Sequence, residues 1–348
     1  MKRIKLGING FGRIGRAIFR INHQYNLFDV AIINDINPDT ANLAYLLRYD
    51  SVHGAFPDAV GVDQEKLIIR NHAIAVHHCP RILDVPWQEH GVDVLIDASG
   101  AKGNAAAGPA LLDMLGYYIN THAATEAEHD VKTVVFGVNE HEFDPLKDRL
   151  LSSSICDTVA LGPVIKLLED HYGIESGFLT TLHPWLGGQH LLDGSADFSK
   201  APDGMDSHYA LGRSAVNNLI PKSTTAVLAA DAVLPGILKK IASFSYRVPT
   251  TIVSSAVLNL SLANPADQGE LIEMFYRFER EQHWKIISNS IEPKVSLDYS
   301  GNEFSTAIDQ RWTMLKNGRN LRMVYWYDNE WGYSSRVVDL VKLIAESA

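Results

Sequence analysis

Hydrophobic positions along this chain change period several times, and each change predicts an element. RIKLGIN opens with a short apolar run that suits a buried strand. From Ile14 the spacing becomes helical, with Ile14, Ile18 and Ile21 on one face. A second run, VAIIND, predicts a strand ending at Asp35, and a third, VDVLIDASG, a strand that ends in small residues at Ser99 and Gly100. Strand, glycine turn, helix and strand make the rhythm of a βαβ unit.

The second half reads differently. DTVALGPVIKLLEDHYG carries apolar residues at Val159, Leu161, Val164, Ile165, Leu167 and Leu168, predicting a mostly buried helix from about Cys156. GFLTTLHPW predicts a strand ending at His183. YRVPTTIVSSAVLNLSL, KVSLDY and LRMVYWY read as further strands, the first containing Arg247. ELIEMFYRFEREQHW is spaced as a packed helix whose RFERE cluster faces solvent. Strand-rich sequence of this kind suits an α+β domain with a mixed or antiparallel sheet and helices on one side. A chain of 348 residues also exceeds what one core usually manages, so two domains are expected.

Composition narrows the function classes. A formal net charge of −10 with no basic stretch argues against nucleic acid as a partner. Two cysteines cannot build a disulfide framework, and Arg3, Lys5, Arg13 and Arg16 interrupt any leader-like apolar run. No run of 18 apolar residues occurs, so no membrane partner is expected. Together these predict a cytoplasmic protein.

The candidate chemistry lies at two places. Gly10, Gly12 and Gly15 form G-x-G-x-x-G between strand and helix, the context of a dinucleotide fingerprint. Gly10 permits the tight turn, Gly12 the approach of a pyrophosphate, and Gly15 close packing of helix on strand. Asp35 follows Gly15 by 20 residues, where a carboxylate accepts from the adenosine ribose hydroxyls and repels a 2′-phosphate. The cofactor expected is NAD, on a Rossmann-type domain. The second place is Cys156, which has two readings: a nucleophile whose thiolate the helix N-terminus stabilises, or a small inert hydrophobe. His183 supplies the partner of a Cys–His combination. Arg247, a guanidinium within an apolar strand, needs an anion. His72, His77, His78 and Cys79 have no metal-ligand spacing, and adjacent strand residues face opposite ways, so no metal is expected.

INGFGRIGR, YDSVHG, VPW…GVDVLIDASG, FGVNEHEF, TTLH, YRVPT and WYDNEWGYSSRV occur in this order, and with them the chain resembles the glyceraldehyde-3-phosphate dehydrogenase family over essentially its whole length. The resemblance implies an NAD-binding domain over 1–155, completed by a C-terminal helix over 329–348, and a catalytic domain over 156–328. It implies a homotetramer that oxidises a small aldehyde, phosphorylated or not. Cys156 would form a thiohemiacetal and then a thioester, with His183 as base. Arg13 and Ile14 would line the pyrophosphate and adenine path. Asn329 would orient the nicotinamide amide, with Tyr333 beside it. Thr158, Thr224, Arg213 and Arg247 would face anions. An alternative of another class is a non-catalytic NAD-binding protein used for regulation or interaction.

The family pattern is broken in specific places. The family reads Ser-Asn-Ala-Ser-Cys-Thr-Thr-Asn-Cys around its nucleophile; this chain has Ile155 before Cys156 and Asp157 after it. An ionised Asp157 at about 4 Å from a bound anion would cost ~4 kcal/mol at an effective dielectric of about 20. Leu186 and Leu211 stand where the family has a phosphate-binding threonine and arginine, and Thr225 replaces the glycine after Thr224. The resemblance therefore implies hydride-transfer machinery with altered phosphate sites, and a substrate other than glyceraldehyde 3-phosphate or one bound differently.

Overall fold

The computed structural model describes residues 3–124, 130–195 and 206–347. The chain divides into two compact units: Met1–Val135 with Asn139–Ile155 and Tyr333–Ala348, and Phe136–Val138 with Cys156–Gly332.

The first unit is built on a nine-stranded sheet. Its strands are β1 (Lys5–Asn9), β2 (Asp29–Asn34), β3 (Val60–Val62), β4 (Lys66–Ile69), β5 (His72–His77), β6 (Val94–Asp97), β7 (Tyr117–Asn120), β8 (Lys132–Thr133) and β9 (Leu150–Ser152), in the spatial order β3-β4-β5-β2-β1-β6-β7-β9-β8. The run from β5 through β9 is parallel, while β3 and β4 add an antiparallel ribbon at one edge. Strand order reverses between β1 and β6, which makes that position the topological switch point of a doubly wound sheet. Ile8, Ile32, Ile33, Leu95, Ile96 and Ile119 are fully buried, as expected for parallel strands covered on both faces.

Helix α1 (Arg13–Tyr25) follows β1 and buries Ala17, Ile18 and Ile21. It ends at Asn26, whose left-handed backbone returns its N–H to the last carbonyls. Helix α2 (Thr40–Arg48) starts at Asp39, whose carboxylate accepts from the Ala41 and Asn42 amides. A single turn, α3 (Gly108–Leu111), precedes β7.

The second unit carries a seven-stranded mixed sheet. It comprises β10 (Ile174–Pro184), β11 (Ile220–Lys222), β12 (Ile241–Val248), β13 (Ser254–Leu262), β14 (Ile287–Ser290), β15 (Thr306–Lys316) and β16 (Asn320–Tyr327), ordered β11-β12-β10-β13-β16-β15-β14. Alternation along the strands separates its faces. Leu179, Thr181 and His183 of β10, Ser245 and Arg247 of β12, Ala256 and Leu258 of β13, and Tyr325 and Tyr327 of β16 are all buried. Phe178 and Phe244, of opposite parity in the same strands, are exposed.

Helix α4 (Cys156–Tyr172) packs against β10, β15 and the short helix α5 (Ala226–Asp231). Helix α6 (Gln268–Glu281) buries Leu271, Met274 and Phe275 and leaves Arg280 exposed. The last helix, α7, runs from Trp331 to Ser347. Among the described residues, no helix is long and apolar enough to cross a membrane.

One predicted strand is not formed. KVSLDY contains a single turn of tight helix at Ser296–Tyr299, because the Asp298 carboxylate accepts from the Val295 amide and closes the chain on itself. The long apolar run through Arg247 is likewise two strands, β12 and β13, separated at residues 249–253, where Val253 takes φ 68°.

Candidate active site

The glycine turn after β1 has the shape its sequence demands. Gly10 has φ +87°, and a Cβ there would lie 2.5 Å from the Ser99 backbone at the end of β6. A Cβ on Gly15 would lie 2.0 Å from the Gly10 carbonyl oxygen, so helix and turn touch through backbone. Gly12 is the opposite case: among the described residues, nothing stands within 4 Å of where its Cβ would be. It occupies the N-cap of α1 with no side-chain cap, so this helix end is open to an outside anion.

Asp35 stands beside this turn. Its Oδ2 accepts from the Phe11 amide at 2.6 Å and its Oδ1 from the Asn37 amide at 2.9 Å. Two lone pairs remain for hydroxyl donors. Arg13 places Nη1 2.8 Å from the buried carboxylate of Asp50. Burial pushes Asp50 up, but the His53 and Val52 amides and Arg13 outweigh it and bring its pKa to about 2. Ile14, in the first turn of α1, is half-buried. Ser99 donates its hydroxyl to Asp97, and Gly100, with φ +72°, has open space around its α-carbon. An uncapped helix start, a glycine cradle and a pinned carboxylate together fit a dinucleotide.

In the second unit, register assembles the other group. β10 and β12 pair in parallel with His183 opposite Arg247, and β11 pairs with β12 so that Lys222 lies opposite Ser245. The first turn of α4 brings Cys156 to this face. Its Sγ is 3.7 Å from His183 Nε2 and 3.6 Å from Asp157 Oδ1. His183 Nδ1 is 2.8 Å from the Pro184 carbonyl oxygen. A carbonyl only accepts, so Nδ1 carries the proton and the Nε2 lone pair faces the sulfur. The same carbonyl accepts from Arg247 Nη1 at 3.3 Å.

Asp157 is the centre of charge here. Tyr327 donates its hydroxyl to Oδ1 at 2.7 Å and Thr224 donates to Oδ2 at 3.2 Å. Burial, followed by Asp157, holds Tyr327 well above its ordinary range, so it stays protonated and donating. Burial, with Arg247 beside it, lowers His183 to about 4. For the Cys156 thiol the net direction is upward, by burial first and then the Asp157 carboxylate, with Arg247 only partly offsetting them. The carboxylate in the same first turn thus opposes the stabilisation that the helix end gives a thiolate. The resting pair is a thiol and a neutral imidazole.

Thr158 is fully buried and donates its hydroxyl to the Ala226 carbonyl at 2.9 Å, tying α4 to α5. Arg213 lies outside the cluster, exposed and paired with Asp193 at 2.8 Å. In WYDNEWGY, Asp328 caps the start of α7 through the Glu330 and Trp331 amides, and the buried Asn329 leaves Oδ1 without a partner among the described residues. In the first unit, Tyr333 bonds its hydroxyl to Ser153 Oγ at 2.7 Å and the Ser154 carbonyl at 3.0 Å.

The histidines weighed for metal disperse, His78 towards Glu65 and Thr40 and His77 against the ring of His90. Cys156, Asp157 and His183 do place ligand atoms within 4.8 Å of one another. Arg247 and Lys222 act electrostatically on this group, which suits an anion better than a cation. Sequence reasoning missed Tyr327 as a partner of Asp157. Its signal was the i, i+2 pair of tyrosines in VYWYD, which one strand face must carry together.

A dinucleotide cradle and a Cys–His pair are parts that a nucleotide-dependent oxidoreductase can use. Residues 4–105 match the family described as glyceraldehyde 3-phosphate dehydrogenase, NAD binding domain, and residues 155–329 match its C-terminal domain. Glyceraldehyde-3-phosphate dehydrogenase 2 of Bacillus subtilis (strain 168) is 33% identical over 351 residues, 99% of this chain and 97% of that protein. Glyceraldehyde-3-phosphate dehydrogenase 1 of the same organism is 36% identical over 344 residues, 99% and 98% respectively. The first such enzyme of Schizosaccharomyces pombe (strain 972) is 34% identical over 341 residues, 98% of each chain. The chain belongs to the glyceraldehyde-3-phosphate dehydrogenase family, and NAD is its cofactor.

Proposed function

We propose that the protein is an NAD-dependent dehydrogenase of a small anionic aldehyde, acting through a covalent adduct on Cys156. The observation that carries this reading is the 3.7 Å approach of Sγ to the unprotonated Nε2 of a histidine whose other nitrogen is fixed by a carbonyl. His183 takes the thiol proton as sulfur attacks the aldehyde carbon, returns it to the carbonyl oxygen to form the thiohemiacetal hydroxyl, and takes it up again when that carbon is oxidised. NAD supplies the hydride acceptor when bound. Gly10, Gly12, Arg13, Ile14, Gly15, Asp35, Ser99 and Gly100 would hold its adenosine and pyrophosphate, and Asn329 and Tyr333 would serve the nicotinamide end.

Arg247 is nine-tenths buried, and its Nη1 bond to Pro184 leaves donors over. It would hold the anionic group of the substrate, with half-buried Lys222 beside it. Thr224 reaches the same cluster through Asp157, whereas Thr158 and Arg213 would serve the fold. The family implies a homotetramer, and the exposed Phe178, Phe244 and Trp312 would be covered by such an assembly.

The test is NADH production from NAD and glyceraldehyde 3-phosphate, compared with a Cys156→Ser variant. Turnover lost by at least 1,000-fold in the variant is expected if sulfur is the nucleophile. Turnover that survives the substitution would end the reading. Failure with this aldehyde, but Cys156-dependent turnover of another, would move the substrate and keep the chemistry.

A further inference from the structure

We infer that the acyl group on Cys156 is released to water, with the Asp157 carboxylate as the base. This rests on the covalent reading above and adds to it the acceptor of the second half-reaction.

Apart from Arg247 and Lys222, which the substrate's own anionic group would occupy, the hydroxyl donors described around the sulfur are already engaged. The Thr224 hydroxyl donates to Asp157 Oδ2, the Tyr327 hydroxyl to Asp157 Oδ1, and the Thr158 hydroxyl to the Ala226 carbonyl. Ile155, before the nucleophile, offers no polar side chain. The place is instead filled by the protein's own carboxylate, 92% buried and pinned at both oxygens, with Oδ1 3.6 Å from Sγ. An incoming phosphate would have to sit against that charge without those donors. Water, being neutral, meets no such repulsion and finds an acceptor in place.

The step balances without a further reactant. Water oxygen forms a bond to the thioester carbon while the C–S bond breaks. The water proton passes to Asp157 and on to the departing sulfur, so the products are a free carboxylic acid and the Cys156 thiol. Nothing is oxidised or reduced. Tyr327 and Thr224 hold the carboxylate where it can reach both the water and the sulfur, and are positioning residues.

Acylation by 4-nitrophenyl acetate isolates this half-reaction, because it needs neither NAD nor aldehyde. The whole protein should give a burst of 4-nitrophenolate followed by steady turnover. The steady rate should be unchanged by replacing an inert buffer with inorganic phosphate at equal ionic strength. Asp157→Asn should keep the burst and lose the steady rate by about 100-fold or more. Asp157→Thr should behave likewise in inert buffer and become faster in phosphate. A wild-type rate that rises tenfold with phosphate overturns the inference whatever the variants do. So does an Asp157→Asn steady rate equal to that of the wild type. A missing burst, equal to that of Cys156→Ser, would instead remove the nucleophile and with it the proposed function.

Discussion

Two helices of this protein begin at its chemistry, and they treat negative charge in opposite ways. At the start of α1 no acidic residue stands in the first turn and the N-cap is a glycine with open space around it. At the start of α4 the second residue is Asp157, buried and within 3.6 Å of the sulfur. Both helix ends carry the same partial positive charge, worth about 0.3–1 kcal/mol to a neighbouring anion. A full charge at that distance in a buried place exceeds it several-fold. The dipole is therefore a bias that a single first-turn side chain reverses, and helix position alone does not predict a reactive thiol.

The comparison breaks most visibly at Gly15. Alanine there would drive its Cβ into the Gly10 carbonyl, which cannot move without displacing β1. NAD affinity of Gly15→Ala, measured by calorimetry, should fall by 100-fold or more. Binding within threefold of the wild type would mean that the α1 end is not the cradle. At the α4 end the corresponding effect is on pH. A histidine of ordinary pKa near 6.5 would be about 97% protonated at pH 5 and leave ~3% of the base active. His183, held near 4, stays mostly neutral there. The acid limb of the acylation rate should accordingly fall near pH 4, and a limb near 6.5 would show that the imidazole is less buried in solution. Stability moves in the same window. The unfolded chain binds the proton first, so His183 withdraws stability as pH falls from about 6.5 towards 4.

Removing the charge of Asp157 sharpens the contrast between the two helices. Asp157→Asn keeps an acceptor for Tyr327 and leaves the helix end unopposed. Iodoacetamide should alkylate Cys156 about tenfold faster at pH 7 in this variant, a change equivalent to ~1.4 kcal/mol in favour of the thiolate. An unchanged rate would assign the raised thiol to burial alone.

These regions also differ in what a reader of the sequence could see. The cradle was legible because each of its requirements is local: a positive φ at Gly10, backbone contact at Gly15, a carboxylate 20 residues on. The pairing of Cys156 with His183 was legible through the resemblance, which marks both residues. What Asp157 does was not, because its partners Tyr327 and Thr224 are 170 and 67 residues away and reach it only through the register of the second sheet. Thr158 and Arg213 show the same limit. Their types suit an anion, yet one hydroxyl is engaged by a carbonyl of α5 and one guanidinium by an exposed aspartate. KVSLDY failed for a nearer reason, since Asp298 competes for the backbone that a strand would need.

The smallest effect should come from Arg13, the first residue of α1. Its partner Asp50 has a pKa of about 2, and the His53 and Val52 amides contribute to that more than Arg13 does. A depressed carboxylate stabilises the fold above its unfolded value near 3.8 and loses that contribution as pH falls towards 2. Arg13→Ala should remove only part of it, because the amide donors remain and the Arg13 side chain is 37% exposed to solvent. The loss at pH 7 should stay below ~1 kcal/mol, the range of partly exposed ion pairs. In thermal melts, the gap between variant and wild type should shrink between pH 4 and pH 2, where Asp50 takes up its proton in both. The same substitution should weaken NAD more than it weakens the fold, since a helix start without Arg13 keeps its shape but offers the pyrophosphate less charge. A gap in stability that persisted to pH 2 would show Arg13 acting through packing. The cradle's affinity for an anion would then rest on its backbone alone.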